Sequence, residues 1–356
     1  MLRAYPGLRC NRGASFGVLA RTIVAMWEPG RRARLVAVVA LLVIAVAAIG
    51  WPLPYYSEGP GPARDVLSRI IYEGEPRYEP TGQLELTTVR YQQLTGLTAL
   101  RAWIDDTLAI VPASLVYPPD VPVDVTKQRG ISQMDQSKID ATAAALRTLH
   151  RYPKHHGAGA LIESTVAECP ADGELFPGDI ITAIDGTKVR DAAQASKLFD
   201  RIPVDQALHF DLNVDGSVEH ATFTRAPCGE KQEPLVGISM LDAFPFAITI
   251  SSDDIGGPSA GLMWALGLYE LLTPGDLTAG RTIAGTGEIA PDGTVYPIGG
   301  IRDKAVAAER TGATLFLAPA DNMAELAGVD TGDMQVVSVA TLDDAIAALQ
   351  PSGSTS

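Results

Sequence analysis

Histidine is scarce in this chain, and what there is stands in the wrong place for a serine hydrolase. Five occur in 356 residues (His150, His155, His156, His209 and His220), and none follows residue 220. Cysteine is scarcer still: Cys10, Cys169 and Cys228 form no C-x-x-C pair, and no H-E-x-x-H occurs, so no metal is expected. There is no G-x-x-x-x-G-K-[ST] either, which excludes a P-loop and leaves no reason to expect ATP use or any other cofactor. Basic residues are outnumbered, 28 Lys and Arg against 42 Asp and Glu, for a net charge of −14. That deficit is uneven, because residues 1–34 carry seven arginines and one glutamate while the rest is strongly acidic. An acidic bulk argues against nucleic-acid binding.

What is present describes a globular protein of two or three domains, with 46% hydrophobic and 20% charged residues. Residues 35–49 are continuously apolar, with Arg31, Arg32 and Arg34 just before them. By the positive-inside rule this predicts a single-pass transmembrane helix over 35–52, a cytoplasmic N-terminus over 1–34, and an extracytoplasmic remainder at the cell membrane. Trp51, Tyr55 and Tyr56 would suit the outer interface. The competing reading is a signal peptide cleaved near Ala45-Val46-Ala47. Met26, just before the arginine cluster, is a second candidate for the translation start. Outside the membrane Cys169 and Cys228 would meet an oxidising compartment, but spacing leaves their pairing open.

The stretch that organises the chain is Gly256-Gly257-Pro258-Ser259-Ala260-Gly261, followed by an apolar run that predicts a helix. Glycines allow a substrate backbone to approach closely, and Pro258 presets φ for a first helical turn. Residues 257–261 spell G-x-S-x-G, yet a nucleophile-elbow hydrolase needs its histidine after the serine. Here every histidine precedes Ser259, so the base must be something else. Lys304 is the only lysine after Ser259. A Ser-Lys pair is a known variant of triad logic, provided that burial and a helix N-terminus keep the amine neutral. Backbone N–H groups around Gly257 to Ser259 are the expected oxyanion donors.

Gly257-Pro258-Ser259-Ala260-Gly261, then Thr286-Gly287-Glu288, then Pro297-Ile298-Gly299-Gly300-Ile301-Arg302-Asp303-Lys304 resemble the proteolytic domain of Lon proteases, over about residues 235–350. The resemblance implies Ser259 as nucleophile, Lys304 as general base and Thr286 as the hydroxyl that orients it, with Gly257 and Pro258 supporting the loop. It also implies homo-oligomeric rings, with hexamers suspected. Two departures stand out. Gly256 occupies the place, three before the serine, where the family usually has an acid, and Arg302-Asp303-Lys304 replaces Lys-Glu-Lys.

Between the membrane segment and this region, residues 53–152 predict a stiff tether over 53–64, a strand over 83–89, and helices over 97–110 and 136–150. Residues 153–229 resemble a PDZ domain, with Leu175-Phe176-Pro177-Gly178-Asp179-Ile180-Ile181 and the Asp185-Gly186 turn. Such a module binds a peptide as an added strand, and the resemblance puts its terminal carboxylate in a nest at Gly157, Ala158, Gly159 and Ala160. Residues 230–350 predict an α/β (α+β) proteolytic layer, with a hairpin over 282–296, and 351–356 a disordered tail. The expected architecture is thus a Lon-like domain with an inserted or preceding β-rich PDZ-like domain. The expected function is a membrane-anchored, ATP-independent serine endopeptidase acting on unfolded or PDZ-recruited protein. The alternatives are a non-catalytic PDZ scaffold for exported proteins and a Ser-Lys amidase of envelope peptides.

Overall fold

The computed structural model describes residues 29–350, so Cys10, Met26 and the tail expected over 351–356 lie outside the described residues. The chain begins with helix α1 (Pro29–Gly50), whose Leu35, Leu41 and Val46 are exposed. The transmembrane span expected over 35–52 is corrected here: among the described residues no helix is long and apolar enough to cross a membrane. An apolar run of about 15 residues rises roughly 22 Å, short of a hydrocarbon core of about 30 Å.

The tether expected over 53–64 is also corrected. Strand β1 (Pro52–Pro60) starts directly after α1 and is the middle strand of a three-stranded antiparallel sheet. Pro54 is tolerated because the register breaks between Pro52 and Tyr56, and Pro52 and Pro60 stand at the two ends of the strand. The strand expected over 83–89 divides into β2 (Gln83–Leu86) and β3 (Val89–Thr95), which join different sheets. Helix α2 (Gly96–Ile104) starts from a Thr95/Thr98 capping box and stops six residues early, because Asp105 accepts from Thr107 in a local turn. Residues beyond it form β4 (Ala109–Pro112), which pairs with β1. Helix α3 (Val123–Thr148) begins well before its expected start, since its exposed polar first half carries no apolar period.

The β-rich module then interrupts the fold. Strands β5 (Ala160–Thr165) and β6 (Ile180–Ile184), helix α4 (Ala192–Arg201), and strands β7 (Ala207–Val214), β8 (Ser217–Thr224) and β9 (Ile238–Asp242) build it. Its antiparallel sheet runs β8-β7-β6-β5-β9 around a separate core that includes Ile162, Ile181 and Phe210. Cys169 and Cys228 are joined by a disulfide within it.

The last segment returns to the first. Helix α5 (Gly261–Leu272) is apolar on every side and is correspondingly buried, with Trp264 fully enclosed. It packs on α3. Strands β10 (Thr282–Gly285), β11 (Leu315–Pro319) and β12 (Gln335–Val339) run parallel, and β2 pairs in parallel with β10 on the other side. A sheet covered on both faces explains the uninterrupted apolar reading of β11. So a strand from before the module and strands from after it share one sheet, and the module is inserted. The hairpin expected over 282–296 is narrower: Glu288–Ile289 pairs with Val295–Tyr296, while β10 belongs to the central sheet. Helices α6 (Ile301–Arg310) and α7 (Leu342–Leu349) complete the mixed α/β layer.

Candidate active site

Ser259 lies one residue before the N-cap of α5, on a loop fastened at several points. Gly257 has φ of 87°, which a side chain would strain, and its N–H donates to the Gly130 carbonyl of α3 at 2.8 Å. The Ser137 hydroxyl donates to the Pro258 carbonyl at 2.8 Å. A Cβ added to Gly261 would come within 2.8 Å of both Ile289 Cγ2 and Ser137 Oγ, so the glycine lets the helix start seat closely. The Ser259 carbonyl accepts from the Gly287 N–H at 2.8 Å and from the Thr286 hydroxyl at 2.9 Å. Two segments far apart in the chain, α3 and residues 286–289, therefore fix the position of one serine.

Lys304 comes from the buried face of α6, which includes Ile301, Ala305 and Ala308. Gly300 begins that helix in the left-handed region, at φ of 69°. Only 3% of Lys304 is exposed. Its Nζ reaches Ser259 Oγ at 2.6 Å and Thr286 Oγ1 at 3.1 Å. Thr286, also buried, sits just past the C-terminal end of β10. Burial lowers the Lys304 pKa to about 8, and no neighbouring charge contributes. The structure brings Ser259, Lys304 and Thr286, the residues expected from the sequence, to one point through contacts between residues 45 and 18 positions apart.

The oxyanion donors need correction. Pro258 has no N–H and the Gly257 N–H is occupied by Gly130, so Gly257 and Pro258 shape the loop without donating into the site. Ser259 keeps the one N–H of that segment still open to a reacting oxygen.

A cleft of about 600 Å³ opens over Ser259 and Lys304. Gly256, Gly299 and Gly300 line it together with Glu58, Arg90 and Tyr91. Tyr91 donates to Glu58 at 3.0 Å. Burial, with the Glu58 charge next, raises the Asp303 pKa to about 6. Glu58 and Tyr91 had no local signal in the sequence; they arrive through the β1–β3 pairing, where they face each other. Ser137 was equally invisible, one hydroxyl on a helix 121 residues away from its partner.

The nest expected at Gly157, Ala158, Gly159 and Ala160 is corrected too. The Gly157 N–H donates to the Ala243 carbonyl at 2.8 Å and the Gly159 N–H to the Arg190 carbonyl at 3.0 Å. Ala160 opens β5, which has β6 on one side and β9 on the other. The outer strand of that end of the sheet is β9, which follows the module's other strands in the chain. Beside it lies a groove of about 390 Å³ lined by Val236, Ile238 and Met240 from the β9 side and by Ser196 and Phe199 from α4. Gly237, at φ of 86°, makes the turn into β9.

Known proteins resemble parts of this chain. Residues 252–350 match the family described as the Lon protease (S16) C-terminal proteolytic domain. Among curated relatives, Lon protease 1 of Sorangium cellulosum is 42% identical over 94 residues, covering 26% of this chain and 11% of that protein. Lon protease 1 of Bacillus subtilis is 46% identical over 66 residues, covering 18% of this chain and 8% of that protein. The chain thus spans about a tenth of the length of the curated relatives it matches. Similar solved structures include the PDZ domain of an SdrC-like protein from Listeria innocua, at 24% identity and a TM-score of 0.21 over 23% of this chain and 92% of that one. The match to a proteolytic domain, with relatives named as proteases, supports a serine endopeptidase.

Proposed function

We propose that this chain is a Lon-like serine endopeptidase working through Ser259 and Lys304 on extended or unfolded protein. Lys304 in its neutral form takes the Ser259 proton as Oγ attacks the scissile carbonyl, and returns it to the leaving amine. Water, deprotonated by the same amine, then releases the acyl group. Thr286 keeps Nζ aimed at Oγ while holding the Ser259 carbonyl, and the Ser259 N–H receives the developing oxyanion. The observation that carries the reading is the 2.6 Å Nζ–Oγ contact, made by a lysine that is 3% exposed and whose lowered pKa has burial alone as its cause. No nucleotide enters any of these steps, so the chemistry is ATP-independent.

Substrate recruitment belongs to the outer edge of β9, where a peptide can pair as a further strand with side chains in the groove against α4. The Cys169–Cys228 disulfide fits an oxidising, extracytoplasmic compartment. The arginine-flanked apolar helix α1 is the segment that would attach the chain to a membrane there. A ring-shaped homo-oligomer is part of the same reading.

The test is cleavage of casein by the full chain beside Ser259→Ala and Lys304→Ala. Both variants should be inactive; cleavage surviving in either would refute the pair. The second reading, a scaffold that binds peptides without cutting them, is favoured by the open edge of β9. It would be supported if the unmodified chain bound peptides in the groove and left casein intact.

A further inference from the structure

Ser137 lies in the middle of helix α3, only 2% exposed, and the proposed chemistry gives its hydroxyl no task. Alanine suits a helix interior better than serine, so a buried hydroxyl there needs a partner to offset its desolvation. A helical serine or threonine usually finds one on its own helix. Thr142 does so, donating to the Lys138 carbonyl four residues back at 2.7 Å. Ser137 instead reaches across 121 residues of chain and donates to the Pro258 carbonyl at 2.8 Å.

That carbonyl belongs to the same peptide group as the Ser259 N–H. The group is trans, so its C=O and N–H point in opposite directions within one rigid plane. A bond that holds the carbonyl on the α3 side therefore sets the direction of the N–H on the other side, and Ser259 lines the cleft. The proline ring fixes φ of Pro258, but the plane after it still turns about ψ of Pro258 and φ of Ser259. Two hydrogen bonds resist that turning: the one from Ser137, and a longer one at 3.3 Å from the Gly261 N–H to the same oxygen. A carbonyl that accepts a hydrogen bond also polarises its own amide, which makes the N–H a stronger donor.

Helix α3 grips the loop a second time. Gly130 lies seven residues before Ser137, close to two full turns, so both stand on one face of the helix. The Gly130 carbonyl accepts from the Gly257 N–H at 2.8 Å. The two grips lie about 10 Å apart along the helix axis, and they fix the peptide groups 256–257 and 258–259.

We propose that Ser137 is a positioning residue for proteolysis: by holding the Pro258 carbonyl it aims the Ser259 N–H at the oxyanion of the tetrahedral intermediate. It acts through the backbone and not through Lys304. The inference rests on Ser259 as the nucleophile, proposed above. Removing an oxyanion donor outright costs about 100- to 1,000-fold in kcat, and removing the bond that aims one should cost about 10- to 100-fold. Ground-state binding of substrate and the Lys304 amine should be untouched.

The experiment compares the full chain with Ser137→Ala, Ser137→Thr and Ser137→Cys, using a short unfolded peptide and a boronic acid built on the same peptide. In the boronate adduct Ser259 Oγ gives an electron pair to boron and its proton passes to Lys304 Nζ. An oxygen on the anionic boron then stands in for the oxyanion. Ser137→Ala should lose about 10- to 100-fold in kcat with KM nearly unchanged, and should bind the boronate more weakly by a similar factor. Ser137→Thr keeps the hydroxyl and should recover most of both, while Ser137→Cys, a weaker donor, should fall between them. The midpoint of the pH profile near 8 should stay in place throughout. Undiminished kcat in Ser137→Ala would overturn the role of Ser137, and so would a shifted pH midpoint, a rise in KM alone, or a loss of kcat without loss of boronate affinity. If circular dichroism shows Ser137→Ala unfolded, the threonine and cysteine variants decide by the same measures. An unmodified chain that neither cleaves the peptide nor binds the boronate would instead refute Ser259 as the nucleophile.

Discussion

Thr286 donates its hydroxyl hydrogen to the carbonyl oxygen of Ser259 across 2.9 Å. Thr286 Oγ1 in turn accepts from Lys304 Nζ at 3.1 Å, so one side chain fixes both the backbone of the proposed nucleophile and the direction of the proposed base. Thr286→Val keeps the shape and loses both contacts. A buried polar group left without its partner costs about 1–3 kcal/mol, so kcat should fall about 5- to 150-fold with KM nearly unchanged. Thr286→Ser should recover most of the rate. Unchanged kcat in the valine variant would show that Thr286 plays no part.

Burying an amine should cost stability that activity requires. The folded pKa of Lys304 is about 8, below the ordinary lysine value, so between these values the unfolded state binds more protons and stability rises with pH. Below pH 8 the charged amine is held in the fold at its full desolvation cost. Lys304→Met should therefore be inactive yet more stable near pH 7, by on the order of 1–3 kcal/mol after its lost hydrogen bonds are counted. Urea unfolding of the two proteins at pH 7 measures this, and a clear loss of stability in the variant would count against a costly buried amine.

Asp140 gives a dependence of the opposite sign. It lies buried on α3, one carboxyl oxygen lacks a hydrogen-bond partner, and burial followed by the charge of Glu163 raises its pKa to about 8. Glu288 adds to the effect, while Gln136 opposes it. The folded state keeps a proton that the unfolded state releases near the ordinary Asp value, so stability is lost as pH rises from about 4 towards 8. Asp140→Asn should flatten that loss. Urea midpoints at pH 5 and pH 8.5 test it, and parallel losses in both proteins would show that Asp140 is not responsible.

Glu163 belongs to the inserted module, and Glu288 follows Thr286 by two residues, so none of this cluster was legible from local sequence. The site was legible where its residues sit in short motifs: Ser259, Thr286 and Lys304 each carry glycine-rich neighbours with a backbone reason to be there. Gly257 and Gly300 sit at positive φ, a conformation that glycine adopts most readily. Two residues lining the cleft stayed hidden because Glu58 and Tyr91 meet through strand pairing across 33 residues. The peptide edge was misassigned for a related reason. A glycine-rich loop before a strand looks the same whether its amides are free or spent on Ala243 and Arg190, and only the strand order reveals that β9 lies outside β5.

Reduction of the disulfide should act on the module first. Cys169 and Cys228 close a loop with a separation of 59 residues, and Gly237 packs directly on Cys169 at the turn into β9. Losing the link should cost about 4 kcal/mol of module stability. Dithiothreitol should therefore weaken peptide binding in the β9 groove more than it weakens cleavage of short peptides that need no recruitment. Equal loss of both would place the effect elsewhere.

The pH dependence of kcat/KM for a short unfolded peptide, followed from pH 6 to pH 10, bears most directly on whether the amine of Lys304 activates Ser259. The rate should rise with pH through a midpoint near 8 and then level off, as the neutral amine becomes the resident form. A rate that falls across this range, or that stays flat while Ser259→Ala is inactive, would contradict lysine as the base.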